Sequence, residues 1–468
     1  MKNILIFLSV ALLMFSGCDS YLETDTYNQI DSENAFKTAS DIKAARNGLY
    51  YALGSYRFCG NYVLAIGDFA ADISVADGSS GHFVTINDYS FTDTQDELEK
   101  VWEYGYSIVN TATQMIPAIN VLLANEETTD ADKDDLNLYL AEVHALRAMA
   151  YFHMVNIFGL PYGTDSNPHG GLVLMDEQAI MPTEDVSRSS VVETYTLIME
   201  DISNSLSAFD KTTSEMNGFY LNEAGVNALK ARILLFMGDY QNAILAADKA
   251  LTLKAAKSIG EADYLGMWKS LTLGEEEIFS IAKTEDDNLS ANSLNTLYGS
   301  YKGSLYSDFK SDFGANDYRL NLIDNTHPMK FDGIESSAAT SNIPQLRVSE
   351  MYLIKAECNA NLGLLDVART ALLFTAKRNG DITDVTDLPT TKSDLLQFIA
   401  KERKREFFQE GHRFYDARRT SEKISVQGSD TDFDVSKFVY PIPADEINSG
   451  FKCEQNEGWF NNLPIPKK

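Results

Sequence analysis

A mostly α-helical scaffold of paired helices, carrying a loop-rich lobe, is the fold class this 468-residue sequence predicts. Three observations carry the prediction. Two segments offset by 125 positions share one helix–turn–helix pattern. Two further segments hold apolar residues at helical spacing. Residues 55–95 and 284–345 mix Gly, Ser, Asp or Asn with aromatics and show no helical period.

The repeat comes first. Ala231 aligns with Ala356, Gly238 with Gly363, Tyr240 with Leu365 and Ala243 with Ala368. Segments 224–251 and 349–374 therefore each read as two helices joined at a tight turn. Small residues let the helices approach closely, and the glycine takes the left-handed conformation that ends the first helix. Ala-x6-Gly-x4-Ala is the tetratricopeptide pattern. A weaker unit covers 136–159, stopped by Gly159 with Pro161 beyond. Residues 189–209 are helical by period, with Ser189 or Ser190 as N-cap and Glu193 placed for a capping box. Together these give about four helical-pair units, which stack because none buries its apolar face alone.

Several charged stretches invite a chemical reading and receive a structural one. Glu402, Glu406 and Glu410 share one face of a helix expected over 399–419, but Arg403, Arg405, Arg413, Arg418 and Arg419 interleave with them, and ion pairs account for the pattern. Asp130, Asp132 and Asp134 mimic half of a calcium loop. Asp135 and Ala141 stand where such a loop needs Gly and Glu, so an acidic cap before a helix at Leu136 is the better reading. Trp102 begins a helical run and reads as core. In the tail, 440–443 is a stiff extended segment with a helix start at Asp445.

The N-terminus carries a different signal. Lys2 precedes residues 4–15, apolar except for Ser9, and Ser16-Gly17 stand before Cys18. This run is shorter than the roughly 20 residues of a spanning helix, so it reads as a signal peptide over 1–17. A cysteine directly after two small residues is a lipobox, with Phe15 where Leu is commoner. The mature chain, 18–468, is then one domain held to a membrane by acyl chains on Cys18. No second apolar stretch is expected to span. A net charge of −29 repels nucleic acid and anionic lipid. Cys358 sits in an apolar helical run and reads as a buried thiol; Cys59 and Cys453 are the pair that an oxidising compartment would allow to bridge.

Six strings, in order along the chain, resemble the SusD/RagB family of outer-membrane nutrient-binding lipoproteins. They are Cys18-Asp-Ser-Tyr-Leu-Glu23; Phe36 with Asp41-Ile-x-Ala-Ala-x-x-Gly-Leu-Tyr50; Leu146-Arg-Ala-x-Ala-Tyr-Phe152 with Phe158-Gly159 and Pro161; Asn342-Ile-Pro-Gln-Leu-Arg-Val-Ser-Glu-Met-Tyr-Leu353 running into Ala356-Glu357; Glu402-Arg403, Glu406, Glu410-Gly-His-Arg413 and Asp416-x-Arg-Arg419; and Tyr440-Pro-Ile-Pro443, Glu446 and Gln455-Asn456. Glu457 and Trp459 depart from the closing motif, where Pro and Tyr are usual. The resemblance implies four tetratricopeptide-like pairs and a loop-rich lobe with the ligand site. It also implies a cell-surface, lipid-anchored position on the outer membrane, and a SusC-like TonB-dependent transporter that the lipoprotein caps as a hinged lid. It implies no cofactor and no metal.

The family's ligand site draws on the two loop regions. Sugars present C–H faces that aromatic rings cover, and burying about 80 Å² of such a face gives about 2 kcal/mol. Candidate glycan contacts are Phe83, Asn87 and Tyr89 in the first loop and Tyr298, Tyr301 and Tyr306 in the second, with Asp72 to accept from hydroxyls and Trp268 close before the second loop. Rival readings are a peptide ligand, a scaffold with no small ligand, and a surface glycosidase. The last needs two carboxylates about 5–10 Å apart, and no pair stands out. H-E-x-x-H, G-x-S-x-G and G-x-x-x-x-G-K are missing. The chain is therefore read as a non-enzyme.

Overall fold

A computed structural model describes residues 35–175, 186–426, 432–449 and 452–463. Cys18 and the 1–17 leader lie outside them.

Helix α1 (Ala39–Leu53) opens on a capping box: Thr38 Oγ1 accepts from the Asp41 amide while the Asp41 carboxylate accepts from Thr38. An inserted segment follows, with α2 (Tyr62–Phe69), β1 (Ser74–Val75) and the single turn α3 (Val84–Asn87). Helices α4 (Asp96–Ala124), α5 (Asp130–Phe158) and α6 (Val191–Phe209) come next, then α7 (Glu223–Met237) and α8 (Tyr240–Lys254). A second insertion carries α9 (Glu261–Met267), β2 (Glu277–Ile281), α10 (Leu294–Tyr298), β3 (Ser304–Leu305), β4 (Ile323–Asp324), β5 (His327–Pro328) and β6 (Ile343–Arg347). The chain returns to the stack with α11 (Val348–Asn361) and α12 (Leu365–Ala376). It continues through α13 (Lys392–Glu406), α14 (Arg413–Thr420), β7 (Lys423–Ile424), β8 (Phe433–Asp434) and α15 (Ala444–Asn448).

Four helix pairs form the body, as expected. They are α1 with α4, α5 with α6, α7 with α8, and α11 with α12; α8 in turn packs on α11. The repeat spacing acts as the sequence implies. Ala231, Ala243, Ala356 and Ala368 are fully buried at the crossings, and Gly238 and Gly363 take φ of 75° and 80°. Ser190 caps α6 with Glu193 in a capping box. The acidic run before Leu136 lies inside α5, whose N-cap is Thr129, so the helix starts earlier than the periodicity implied. Asp134 accepts from the Thr213 amide at 2.7 Å and holds the α6–α7 link.

Three expectations need correction. Residues 55–95 are not free of helix: α2 is buried from Val63 through Phe69, so it has no polar face for a 3.6-residue period to reveal. The charged helix over 399–419 is two helices, broken between Glu406 and Arg413, where Gln409 and Gly411 take φ of 66° and 75°. A Cβ on Gly411 would lie 2.5 Å from Leu64 Cα, so this turn needs glycine for space as well as conformation. By length and composition α4 is apolar enough to cross a membrane, contrary to expectation, although here it packs against α1 and α5.

Cys59, Cys358 and Cys453 are buried and unbridged. Trp102 is buried in α4, and its indole N–H donates to Glu446 Oε2 at 3.2 Å. The closing motif sews the tail to the body. Gln455 exchanges two hydrogen bonds with the Ile442 backbone, at 2.7 and 2.8 Å. Asn456 Nδ2 donates to the carbonyls of Phe158 and Tyr440.

Candidate functional site

The first insertion interrupts the first helix pair, and the second lies between the third and fourth pairs. Backbone pairing joins them. β1 runs antiparallel to β3, with Ser74 opposite Leu305 and Val75 opposite Ser304. The Tyr306 amide donates to Ile73 O at 2.9 Å. Ring packing continues the junction: Phe69 of α2 stacks on Phe83 at 5.6 Å and on Tyr298 at 5.3 Å.

A buried charge network fixes the second insertion to the scaffold. Arg319 Nη1 donates to Glu402 Oε1 at 2.8 Å and Glu406 Oε2 at 3.1 Å. Arg347, at the end of β6, donates to Glu406 Oε1 at 3.0 Å and Glu410 Oε2 at 2.8 Å. Arg378 pairs with Glu406 at 3.1 Å and with Glu276 at 2.6 Å. Lys330 Nζ reaches Glu410 Oε1 at 2.6 Å, and burial pushes its ammonium down to about 8. Burial works to raise the Glu402 and Glu406 carboxyls, but the surrounding guanidinium groups outweigh it and hold both below the usual range. The glutamate face is thus structural, as the interleaved arginines implied.

Six of the eight candidate glycan contacts are engaged elsewhere in this arrangement, five of them buried. Phe83 and Tyr298 are each 2% exposed, inside the Phe69 stack, and the Tyr298 hydroxyl meets Ser74 Oγ at 2.8 Å. Asn87 is buried and acts as a clip. Its amide nitrogen donates to the carbonyls of Phe69 and Ser74, and its oxygen accepts from the Ala76 amide. Tyr89 is buried against Phe433 and Phe438, with its hydroxyl on Ala70 O. Trp268 lies in the core beneath Lys330 and against Phe331. Asp72 accepts from Arg413 Nε at 2.6 Å and from Lys404 at 3.3 Å. Burial alone would raise its carboxyl, yet these two cations hold it low. It ties the first insertion to α13 and α14.

Tyr301 and Tyr306 remain half-buried at the junction. Tyr301 stacks on His82 with ring centroids 3.7 Å apart and planes 16° from parallel. His82 is exposed, and each insertion contributes one ring of the pair. Polar groups flank it. Asp77 accepts from the Ser79 amide at 2.9 Å, the Ser80 hydroxyl donates to Asp77 O at 2.9 Å, and the His82 amide donates to Ser80 Oγ at 3.3 Å. Lys302 follows Tyr301 at φ 58°. The sequence reading missed His82, Asp77 and Lys302, because a lone imidazole in a Gly/Ser-rich stretch carries no signal until its distant partner is known.

Comparison with known proteins bears on the family and the fold. Residues 279–459 match a model described as "SusD family", and residues 20–235 match one described as "Starch-binding associating with outer membrane". The SusD-like protein P38 of Formosa agariphila is 24% identical, aligned over 97% of this chain and 99% of its own. A SusD superfamily protein from Bacteroides vulgatus superposes with a TM-score of 0.80 at 27% identity, covering 91% of this chain and 100% of that one. A SusD-like carbohydrate binding protein from the same species gives a TM-score of 0.71 at 21% identity, covering 83% and 85%. Four stacked helix pairs, two insertions closed against each other, and matches running along nearly the whole sequence lead to one assignment: this chain belongs to the SusD/RagB family.

Proposed function

We propose that the protein binds an oligosaccharide at the junction of its two insertions and hands it, from a lipid-anchored position on the cell surface, to a SusC-like TonB-dependent transporter. One observation carries the reading: the ring pair His82–Tyr301 sits at solvent, braced from below by the β1–β3 pairing and the Phe69 stack. A braced aromatic face flanked by Asp77 and Lys302 suits a sugar ring, which needs an apolar platform and a few hydrogen-bonding groups at its edge. The matched model's description and the carbohydrate-binding relative support a glycan over a peptide. In this reading the helix pairs form the docking face for the transporter, and Cys18 carries the anchor.

Glycan-array screening followed by calorimetry tests the site. His82→Ala and Tyr301→Ala should each weaken glycan binding up to about thirtyfold, the equivalent of the roughly 2 kcal/mol of one sugar face covered by one ring. Full affinity in the double variant, binding of peptides alone, or hydrolysis of the bound glycan would remove the proposal. The anchor has its own check: Cys18→Ala should shift the protein from the membrane fraction to the soluble fraction, and retention in the membrane would count against lipidation.

A further inference from the structure

A second concave site lies outside the junction. A cleft of about 770 Å³ opens between the α7–α8 turn, α11, and the α13–α14 helices. Its walls carry four basic side chains, Lys401, Arg403, Arg413 and Arg419, against three carboxylates, Glu357, Asp416 and Glu422. The whole chain has 39 basic and 68 acidic residues, so a cleft with cationic excess runs against its composition.

The carboxylates are spoken for. Arg419 donates to Glu357 Oε2 at 2.8 Å and to Asp416 Oδ1 at 2.9 Å. Arg413 lies between Glu422, at 2.7 and 2.8 Å, and Asp72. Arg403 Nε donates to Asp416 Oδ2 at 2.7 Å. One hydrogen-bond donor and one charge are left without partners in the wall. Arg403 is 3% exposed, yet its Nη1 has no hydrogen-bond partner among the described residues. A buried guanidinium nitrogen without an acceptor carries a desolvation cost that an incoming anion relieves. Lys401 is exposed at the rim and forms no ion pair among the described residues. Phe236 and Tyr240, both half-buried, add apolar wall for the body of a ligand.

We propose that this cleft is an anion subsite, which takes the carboxylate of a small ligand at Arg403 with Lys401 at its entrance. An arginine fork matches a carboxylate better than it matches a hydroxyl. The carboxylate has two sources, a uronic acid on an oligosaccharide or the free C-terminus of a short peptide, and matched probes separate them. Titration calorimetry on the full-length chain would compare digalacturonate with neutral galactobiose, and a free-acid dipeptide with its C-terminal amide. The acid of one pair should bind about tenfold more tightly than its neutral counterpart. Arg403→Lys keeps the charge but loses the fork and should abolish most of that preference. Lys401→Gln, at an exposed position with no contact to lose, should reduce it about threefold and gives a reading even if the Arg403 variant fails to fold. Equal binding of acid and neutral probes in both pairs overturns the proposal, as does a preference that Lys401→Gln leaves undiminished. Neither result bears on His82 or Tyr301, because the two sites share no residue.

Discussion

Tyr298 and Tyr301 stand three positions apart, and the fold uses them in opposite ways. The first is sealed under Phe69 with its hydroxyl on Ser74; the second turns outward and meets His82. Residue type and neighbourhood do not separate them, because an aromatic ring serves a core and a sugar platform equally well. The sequence therefore pointed to the two stretches, and left open which rings face water. Stability should divide the pair. Tyr298→Ala empties a packed position and should cost about 3–5 kcal/mol, whereas Tyr301→Ala loses one half-exposed stack and should cost about 1 kcal/mol. Denaturant unfolding of the two variants checks this, and equal losses would contradict the burial assigned to them.

At the scale of elements, the break between α13 and α14 decides what the acidic face does. The three glutamates were legible as one stripe, and their arginine partners in 399–419 were legible too. Arg319, Lys330, Arg347 and Arg378 were not, since they arrive from other segments and only tertiary structure brings them in. Glu406 meets three of these guanidinium groups, and the Tyr264 hydroxyl donates to it at 3.3 Å. Glu406→Gln removes the charge and leaves the arginines buried, which should cost roughly 3–5 kcal/mol. The pH dependence follows from the depressed carboxyls of Glu402, Glu406 and Asp416. A carboxylate whose folded pKa lies below its unfolded one stabilises the fold above the unfolded value, and that contribution is lost as pH falls towards the folded one. Wild-type protein should therefore lose stability on acidification from pH 5 downward, and Glu406→Gln should show a shallower slope in urea titrations at stepped pH. Parallel slopes would show that Glu406 does not hold its charge in the folded state.

Across the whole molecule, the pairs α7–α8 and α11–α12 could be read from local spacing because their small-residue contacts and turn glycines each lie within one short window, whereas α1 and α4 are parted by an insertion and α5 and α6 by a long link. The lobe could not. Its brace is a two-residue pairing between Ser74–Val75 and Ser304–Leu305, strands too short to show any period and far apart in the chain. Helix α2 stayed hidden for a related reason, being wrapped on all sides. That brace has a consequence for the covalent chain. The link between α6 and α7 is partly exposed, and it separates two helix pairs and one insertion from the other two pairs and the second insertion. Neither fragment of a protein cut there could close the lobe unaided, and each would carry the strand and the rings that the other lacks. A single proteolytic nick would thus leave a noncovalent heterodimer, with ligand capture surviving as a property of the reunited halves.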